Sequence, residues 1–146
     1  MKLKIFLDSN IFIAGLGSKI GASAEVLKLI QSVHIETCTS KLVVEEVKRN
    51  LTRKLPQYLP IYFQVLSKTG INIYSNARIT NNRISKTIPK HSDVIIFNTA
   101  QKLHIDYFIT LNRKHFHQKE VKKIANFKII TPAEFLAIFR KNFFKN

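Results

Sequence analysis

Three carboxylates in this sequence lie beside segments that should be buried, and together they could bind a divalent cation. Asp8 directly follows an apolar run at residues 5–7, and a buried charge is costly unless it is paired, hydrogen-bonded or bound to a metal. Glu46 and Asp93 each lie on a predicted helix with an apolar face. Clustered carboxylates repel one another unless a cation neutralises them, and hard oxygen ligands select Mg²⁺ or Mn²⁺.

The chain alternates short apolar runs with helical patterns, which predicts the elements that carry these acids. We expect strands at residues 3–7, 34–38, 71–73, 107–109 and 128–130, and helices at about 20–31, 40–55, 61–69, 93–103 and from 132. Ser40, Ser92 and Thr131 are expected to cap helices, and residues 75–90 to form a loop or a frayed helix. Alternating strands and helices predict a parallel sheet covered on both faces. No linker divides residues 1–146, so we predict a single domain.

These elements are expected to bring the three acids to one edge of the sheet. Asp8 ends the first strand, and ligands of open α/β sheets bind at the carboxyl ends of strands. Glu46 borders the apolar stripe of its helix, whereas Glu45 projects away from it and can pair with Arg49. Asp93 begins a helix that packs on the sheet. The alternatives are that Asp8 only caps a following helix and that Asp93 only interacts with a helix dipole.

The charge balance favours nucleic acid as a partner. The chain carries 24 Lys+Arg against 9 Asp+Glu, a formal net charge of +15, and a solvated lysine surface is the alternative interpretation. No segment is apolar and long enough to span a bilayer, so no membrane interaction is expected. A single cysteine, Cys38, excludes a disulfide framework and indicates a soluble protein of a reducing compartment, the cytoplasm. Mg²⁺ held by carboxylates beside a basic surface is the chemistry of phosphodiester cleavage.

Four segments carry these acids and their neighbours in a defined order along nearly the whole chain. They read "FLDSNIFIAGL", "TSKLVVEEVKRNL", "HSDVIIFNTAQKLHIDYFITLNRKHF" and "KIITPAEFLAIF". The chain thereby resembles PIN-domain ribonucleases, in particular VapC-like toxins of type II toxin–antitoxin pairs. The resemblance implies a three-layer α/β/α sandwich with a central, mostly parallel sheet. It also implies RNA cleavage at an acidic pocket that binds Mg²⁺ or Mn²⁺, with an antitoxin protein and a second copy of the chain as further partners.

The resemblance also implies roles for individual residues. Asp8, Glu46 and Asp93 fall on the catalytic acids of the family, which bind the metal. Asn10 falls on the asparagine of the family's Asp-x-Asn motif, which would orient Asp8 by hydrogen bonding. Thr110 falls on a threonine beside the pocket.

One position departs from the family pattern. Asn112 stands where a fourth acid is usual; it keeps a carbonyl oxygen as a metal ligand but has no charge, so weaker metal binding is expected. Asp106 lies at the opposite end of the following strand and is not expected to substitute for this acid. The basic residues predicted to bind RNA are Arg49, Arg113 and Lys114.

The leading hypothesis is therefore a metal-dependent endoribonuclease that acts as a toxin, and two alternatives stay open. Asn112 favours a catalytically weakened module that binds RNA or a protein partner, and a DNA nuclease of the same fold is the other possibility. The segment His115–Phe116–His117 lacks a further metal ligand at a suitable spacing. Phe116 is expected to anchor it to the core, with both histidines facing solvent or RNA.

Overall fold

A five-stranded parallel sheet lies at the centre of the computed structural model, which describes residues 2–78 and 82–143. Its strands are β1 (Lys4–Leu7), β2 (Glu36–Ser40), β3 (Asn72–Tyr74), β4 (Tyr107–Ile109) and β5 (Lys128–Ile130). They lie in the order β3-β2-β1-β4-β5, and every neighbouring pair is parallel. The predicted strands are therefore confirmed, with boundaries that differ by at most two residues.

Helices connect the strands and flank the sheet. They are α1 (Ser9–Gly17), α2 (Ala22–Ser32), α3 (Lys41–Lys54), α4 (Leu59–Lys68), α5 (Asn82–Thr87), α6 (His91–Lys102), α7 (Arg113–Phe116), α8 (Lys119–Ile124) and α9 (Pro132–Phe143), with a 3₁₀ turn at Pro56–Tyr58. The chain first adds strands on one side of β1 and then on the other. Because parallel crossovers are right-handed, connections that run in opposite directions lie on opposite faces of the sheet. The predicted three-layer α/β/α arrangement is confirmed.

Local signals set several helix boundaries. Ser40 Oγ accepts a hydrogen bond from a backbone N–H of the first turn of α3, at 3.2 Å. Thr131 and Glu134 form the reciprocal capping box before α9, with hydrogen bonds of 3.2 and 3.0 Å. The expected cap at Ser92 is wrong, because α6 begins at His91, two residues earlier than expected, and Ser92 lies inside the helix. The Ser92 hydroxyl has no hydrogen-bond partner among the described residues.

Four helices were not expected as defined elements: α1, α5, α7 and α8. α5 forms within residues 75–90, of which 79–81 lie outside the described part of the chain. α1 begins directly after Asp8 and packs against α2. A Cβ on Gly15 would lie 2.5 Å from a terminal side-chain carbon of Leu27 and 3.0 Å from the Ser23 carbonyl oxygen, so a larger residue here would force Leu27 to move.

The core lies on both faces of the central strand pair. Phe6 of β1 stacks on Phe108 of β4 with ring centroids 5.2 Å apart, and Phe116 packs 4.9 Å from Phe108. Cys38 is buried in β2, and burial raises the pKa of its thiol to about 11, so it stays protonated at neutral pH. None of the described helices is long and apolar enough to cross a membrane. That residues 1–146 form a single domain stays a prediction.

Candidate active site

The edge of the sheet where β1 and β4 end carries the first of the three acids. These two strands pair with Leu7 opposite Ile109. From β1 the chain adds β2 and β3 on one side and then β4 and β5 on the other, so the gap between β1 and β4 is the reversal point of the strand order. Asp8 and Thr110 directly follow the paired strand ends. In open parallel sheets the crevice at such a reversal point is where ligands bind, because the two following loops diverge to opposite faces.

Asp8 is a buried carboxylate that is held by three hydrogen bonds. Its side chain is 2% exposed; Oδ1 accepts from the Ser9 backbone N–H at 2.8 Å, which caps α1. Oδ2 accepts from Thr110 Oγ1 at 2.7 Å and from Asn10 Nδ2 at 3.2 Å. Asp8 therefore does cap α1, as one alternative interpretation held, through its Oδ1 atom. Its Oδ2 atom instead contacts the side chains at the reversal point of the sheet.

The electrostatic environment of Asp8 links it to the other two acids. The pKa of Asp8 is raised from 3.8 to about 6. Burial is the main cause, the hydrogen bonds from Thr110 and Ser9 oppose it, and the charges of Asp93 and Glu46 add to it. Tertiary folding thus brings three acids from three separate elements within electrostatic range. A cation among them would remove the main cost of ionising Asp8.

Asn10 and Thr110 form a hydrogen-bond network that joins the ends of β1 and β4. Asn10 Nδ2 also donates to Thr110 Oγ1 at 3.3 Å, and Asn10 Oδ1 accepts from the Leu111 backbone N–H at 3.0 Å. Thr110 Oγ1 further accepts from the Asn112 backbone N–H at 3.0 Å. This network determines the position of the Asp8 carboxylate, as expected of supporting residues.

Asp93 lies in the first turn of α6 and is also buried, with 4% of its surface exposed. Its Oδ2 is in hydrogen-bond contact with His115 Nδ1 and accepts from Asn112 Nδ2 at 3.4 Å. A helix dipole alone therefore does not account for this acid. Its carboxylate is held by two side chains that lie about 20 residues further along the chain, in the segment after β4.

Asn112 contacts both Asp93 and His115, and its role as a metal ligand stays a prediction. Its carbonyl oxygen, the expected metal ligand, accepts a hydrogen bond from the His115 backbone N–H at 3.1 Å and caps α7. Its amide nitrogen faces Asp93, and an amide N–H group is not a metal ligand. Asn112 therefore supports Asp93 in this arrangement.

The prediction that the two histidines face solvent is wrong. Phe116 is fully buried as expected, but His115 contacts Asp93, and His117 Nε2 donates to the Thr110 carbonyl oxygen at 2.8 Å. Sequence reasoning missed His115 because it considered only the spacing between histidines. The available signal was Asn112 as an N-cap, since the third residue of the helix then turns back toward the capping side chain.

Glu46 lies on the wall of a basic cleft next to these acids. The cleft has a volume of about 650 Å³ and is lined by Ser9, Ile13, Glu46, Arg49, Asn50, Arg53, Lys90 and Ser92. Of the three residues predicted to bind RNA, Arg49 lines the cleft, whereas Arg113 and Lys114 are exposed on α7. The cleft thus combines one acid with three cations and the buried, unpartnered hydroxyl of Ser92.

The donor atoms at this edge suit a cation that keeps much of its water shell. The described residues contain no group of three or more His, Cys, Asp or Glu side chains that could by themselves hold a metal ion. A hydrated divalent cation needs only one or two carboxylates, and Asp8 and Asp93 are the two buried ones.

Fold and site together define a PIN-like α/β/α protein with acids at the carboxyl ends of its parallel strands. No protein-family model and no curated protein matches the chain. Solved structures do share the fold. A chain of VapBC2 from Rickettsia felis, bound to a fragment of its promoter DNA, matches with a TM-score of 0.64 and 17% identity, over 88% of this chain and 98% of that one.

Two further toxin–antitoxin complexes give similar results. A chain of DNA-bound VapBC from Salmonella typhimurium matches with a TM-score of 0.65 and 19% identity, over 89% of this chain and 98% of that one. A chain of a toxin–antitoxin complex from Klebsiella pneumoniae matches with a TM-score of 0.60 and 20% identity, over 88% and 97% respectively. These likenesses confirm the predicted fold, and with it the resemblance at the level of the fold.

Proposed function

We propose that the chain is a metal-dependent endoribonuclease and the toxin of a toxin–antitoxin pair. The observation that carries this proposal is the buried Asp8 at the reversal point of the sheet, within electrostatic range of Asp93 and Glu46. Hydrolysis of a phosphodiester needs neutralisation of developing negative charge and an activated water, which a bound Mg²⁺ or Mn²⁺ supplies. The likeness to chains of toxin–antitoxin complexes supports the assignment.

Each side chain of the site has a distinct role in the proposed reaction. Asp8 and Asp93 would hold the cation, and Glu46 would reach it from the cleft wall. Asn10 and Thr110 keep the Asp8 carboxylate in one orientation. The substrate would lie in the basic cleft.

The basic side chains of that cleft are proposed to bind the nucleic acid. Arg49, Arg53 and Lys90 line it beside Glu46 and would bind phosphates on both sides of the scissile bond. Arg113 and Lys114, exposed on α7, could extend this surface along the strand. A net charge of +15 supports binding to a polyanion.

Removal of divalent cations is expected to abolish cleavage of a single-stranded RNA, because the cation is proposed to activate the water and to neutralise the charge that develops on the phosphate. The measurement is a gel assay of the purified chain on matched RNA and DNA strands, before and after EDTA, with Mg²⁺ or Mn²⁺ added back. We expect restored cleavage of RNA and much weaker cleavage of DNA. Cleavage that survives EDTA would contradict the metal mechanism, and a preference for DNA would contradict the substrate assignment.

A second candidate function is RNA binding without efficient cleavage. It is favoured by Asn112, which supplies no fourth negative charge and donates to Asp93. This candidate predicts RNA affinity that falls steeply with salt, because binding releases counterions from the phosphates. It also predicts no product even in excess Mn²⁺.

The antitoxin partner is proposed to bind a groove between α1, α2 and α4. The groove has a volume of about 470 Å³ and an apolar floor that includes Leu16 and Leu27. Ile61, 48% exposed, lines it, and Lys19 and Lys68 lie among its lining residues. An amphipathic segment with acidic flanks has the complementary chemistry.

Ile61→Asp is expected to weaken binding of this partner by about 30-fold or more, the effect of losing a central apolar contact. The probe is the purified product of any small gene that neighbours the coding sequence on the same operon, and its binding is measured by calorimetry. Phe63→Asp is the matched control, since Phe63 lies on the same helix and is 47% exposed but does not line the groove. Equal effects of both substitutions would refute the proposal that the partner binds this groove.

A homodimer and a cytoplasmic location stay predictions.

A further inference from the structure

The ring of His115 presents a hydrogen-bond acceptor beside the acids of the site. Its Nδ1 atom is in hydrogen-bond contact with Oδ2 of the buried Asp93. An ionised carboxylate only accepts hydrogen bonds, so Nδ1 is the donor in this contact. The neutral ring therefore has its hydrogen on Nδ1, and Nε2 has the free lone pair.

The Nε2 atom of His115 is open to a ligand. Both side-chain contacts of the ring, with Asp93 and Asn112, involve Nδ1, and no described residue bonds to Nε2. The side chain is 17% exposed. Nε2 is not enclosed either, since the buried side-chain atom without a partner in the described part of the chain is the Ser92 hydroxyl oxygen. The neighbouring His117 differs, because its Nε2 already donates to a backbone carbonyl oxygen at 2.8 Å.

Three contacts hold the imidazole of His115 in place. Asn112 caps α7 by accepting a hydrogen bond from the His115 backbone N–H at 3.1 Å. Phe116, the next residue, is fully buried, and its ring centroid lies 4.9 Å from that of Phe108. Asp93 then fixes the ring of His115 itself. An acceptor that is held in this way loses little conformational freedom when a substrate binds, so it can contribute to specificity.

We propose that His115 Nε2 accepts a hydrogen bond from the ribose 2′-hydroxyl next to the scissile phosphate, so that His115 makes the site select RNA over DNA. This inference rests on the proposed function and names the part of the substrate that the site recognises. The 2′-hydroxyl lies on the carbon next to the one that carries the 3′-oxygen of the scissile bond, and it is therefore a close neighbour of the phosphate. A residue in contact with Asp93 is within reach of it when that phosphate is bound at the acids.

The charged residues of the surface do not explain such a selection. Arg49, Arg113 and Lys114 would bind phosphates, which RNA and DNA share. Phosphate oxygens also have no hydrogen to donate to the lone pair of Nε2, whereas a hydroxyl group does. In DNA the 2′-hydroxyl is missing, and Nε2 would be left without a partner. A site that is built to bond a substrate hydroxyl strongly rejects the analogue that lacks it.

The test measures kcat/KM of the full chain, with Mg²⁺ or Mn²⁺, for two single-stranded RNA oligonucleotides. They differ only in a 2′-deoxy sugar in the nucleotide on the 5′ side of the mapped cleavage position. We expect the wild type to cleave the 2′-deoxy substrate with a kcat/KM that is lower by about 10-fold. A 2′-deoxy sugar placed further from the cleavage position should have an effect of less than about twofold.

His115→Asn should reduce this discrimination to less than about twofold. The asparagine amide can replace Nδ1 as the donor to Asp93, but it provides nothing in place of Nε2. His34→Asn is the matched control and should keep the wild-type ratio, because His34 is exposed and precedes β2 at the opposite edge of the sheet. A purely structural role of His115 would slow cleavage of both substrates equally, and a fraction of unfolded protein cancels in the ratio.

Two results would overturn this inference and leave the nuclease proposal intact. One is equal cleavage of both substrates by the wild type, and the other is a discrimination that persists in His115→Asn. A wild-type chain that cleaves neither substrate would overturn both proposals.

Discussion

Asp8→Asn is expected to abolish RNA cleavage, lowering kcat/KM by at least about 1,000-fold, which corresponds to about 4 kcal/mol of transition-state stabilisation. Asp8 is the most buried of the three acids of the site and the one at the reversal point of the sheet. Asparagine has the same shape but no charge, so the cation would lose its main electrostatic partner. Binding of RNA by Arg49, Arg53 and Lys90 should persist, since these cations lie in the adjoining cleft.

The assay measures cleavage and RNA binding of the same preparations at saturating Mg²⁺ or Mn²⁺. Asp106→Asn is the matched control, because Asp106 directly precedes β4 at the opposite edge of the sheet and accepts a hydrogen bond from the Lys4 backbone N–H at 2.9 Å. It should cleave like the wild type. Full activity of Asp8→Asn would refute the proposed function, and loss of RNA binding would indicate that the substitution disturbs more than the metal site.

The same substitution should also remove a pH dependence of stability in the metal-free chain. The pKa of Asp8 is raised from 3.8 to about 6 in the folded chain, so folding favours the protonated form. Its contribution to the free energy of unfolding is complete below the unfolded pKa and is lost as the pH rises through about 6. A shift of this size corresponds to about 3 kcal/mol. Urea unfolding in EDTA at about pH 4.5 and about pH 7.5 should show a smaller decline for Asp8→Asn than for wild type.

Asn112→Asp is expected to raise affinity for Mg²⁺ by about tenfold or more, an added charge being worth on the order of 1.4 kcal/mol at short range. Aspartate caps helices as well as asparagine does, so α7 should keep its start. The new carboxylate would lie beside Asp93 and add an oxygen donor to the site. Without metal, the two carboxylates repel, and the chain should be less stable than wild type.

Calorimetric titration with Mn²⁺ and Mg²⁺, with cleavage measured in parallel, decides between the two candidate functions. Tight binding and cleavage by wild type would mean that three acids suffice. Weak binding without cleavage, both restored in Asn112→Asp, would mean that the natural chain is an RNA-binding module. Asn72→Asp, an exposed substitution in β3, adds the same charge away from the site and serves as the control. An affinity gain of equal size in this control would show that net charge alone is responsible.

Much of the fold could be predicted because its signals are local. The strands β1, β4 and β5 are short apolar runs, whereas β2 is mostly polar. The caps at Ser40 and Thr131 act within one helical turn. Ser92 shows the limit of such signals, since a residue of the right type did not form the cap. α1 was missed because Asp8 was interpreted mainly as a charged site residue. That Asp8 caps a following helix was considered only as an alternative.

The sequence by itself determined which residues carry charge and that parallel strands end beside Asp8. Only the tertiary structure decided which side chains meet at that edge. The contact of Asp93 with His115 joins residues 22 positions apart, and it depends on how α6 and α7 pack around β4. Burial of Phe116 could be predicted, but the packing of its ring against Phe108, which orients α7, could not. Charge and periodicity are properties of the chain, whereas the partners of a buried carboxylate depend on strand order, register and the packing of the core.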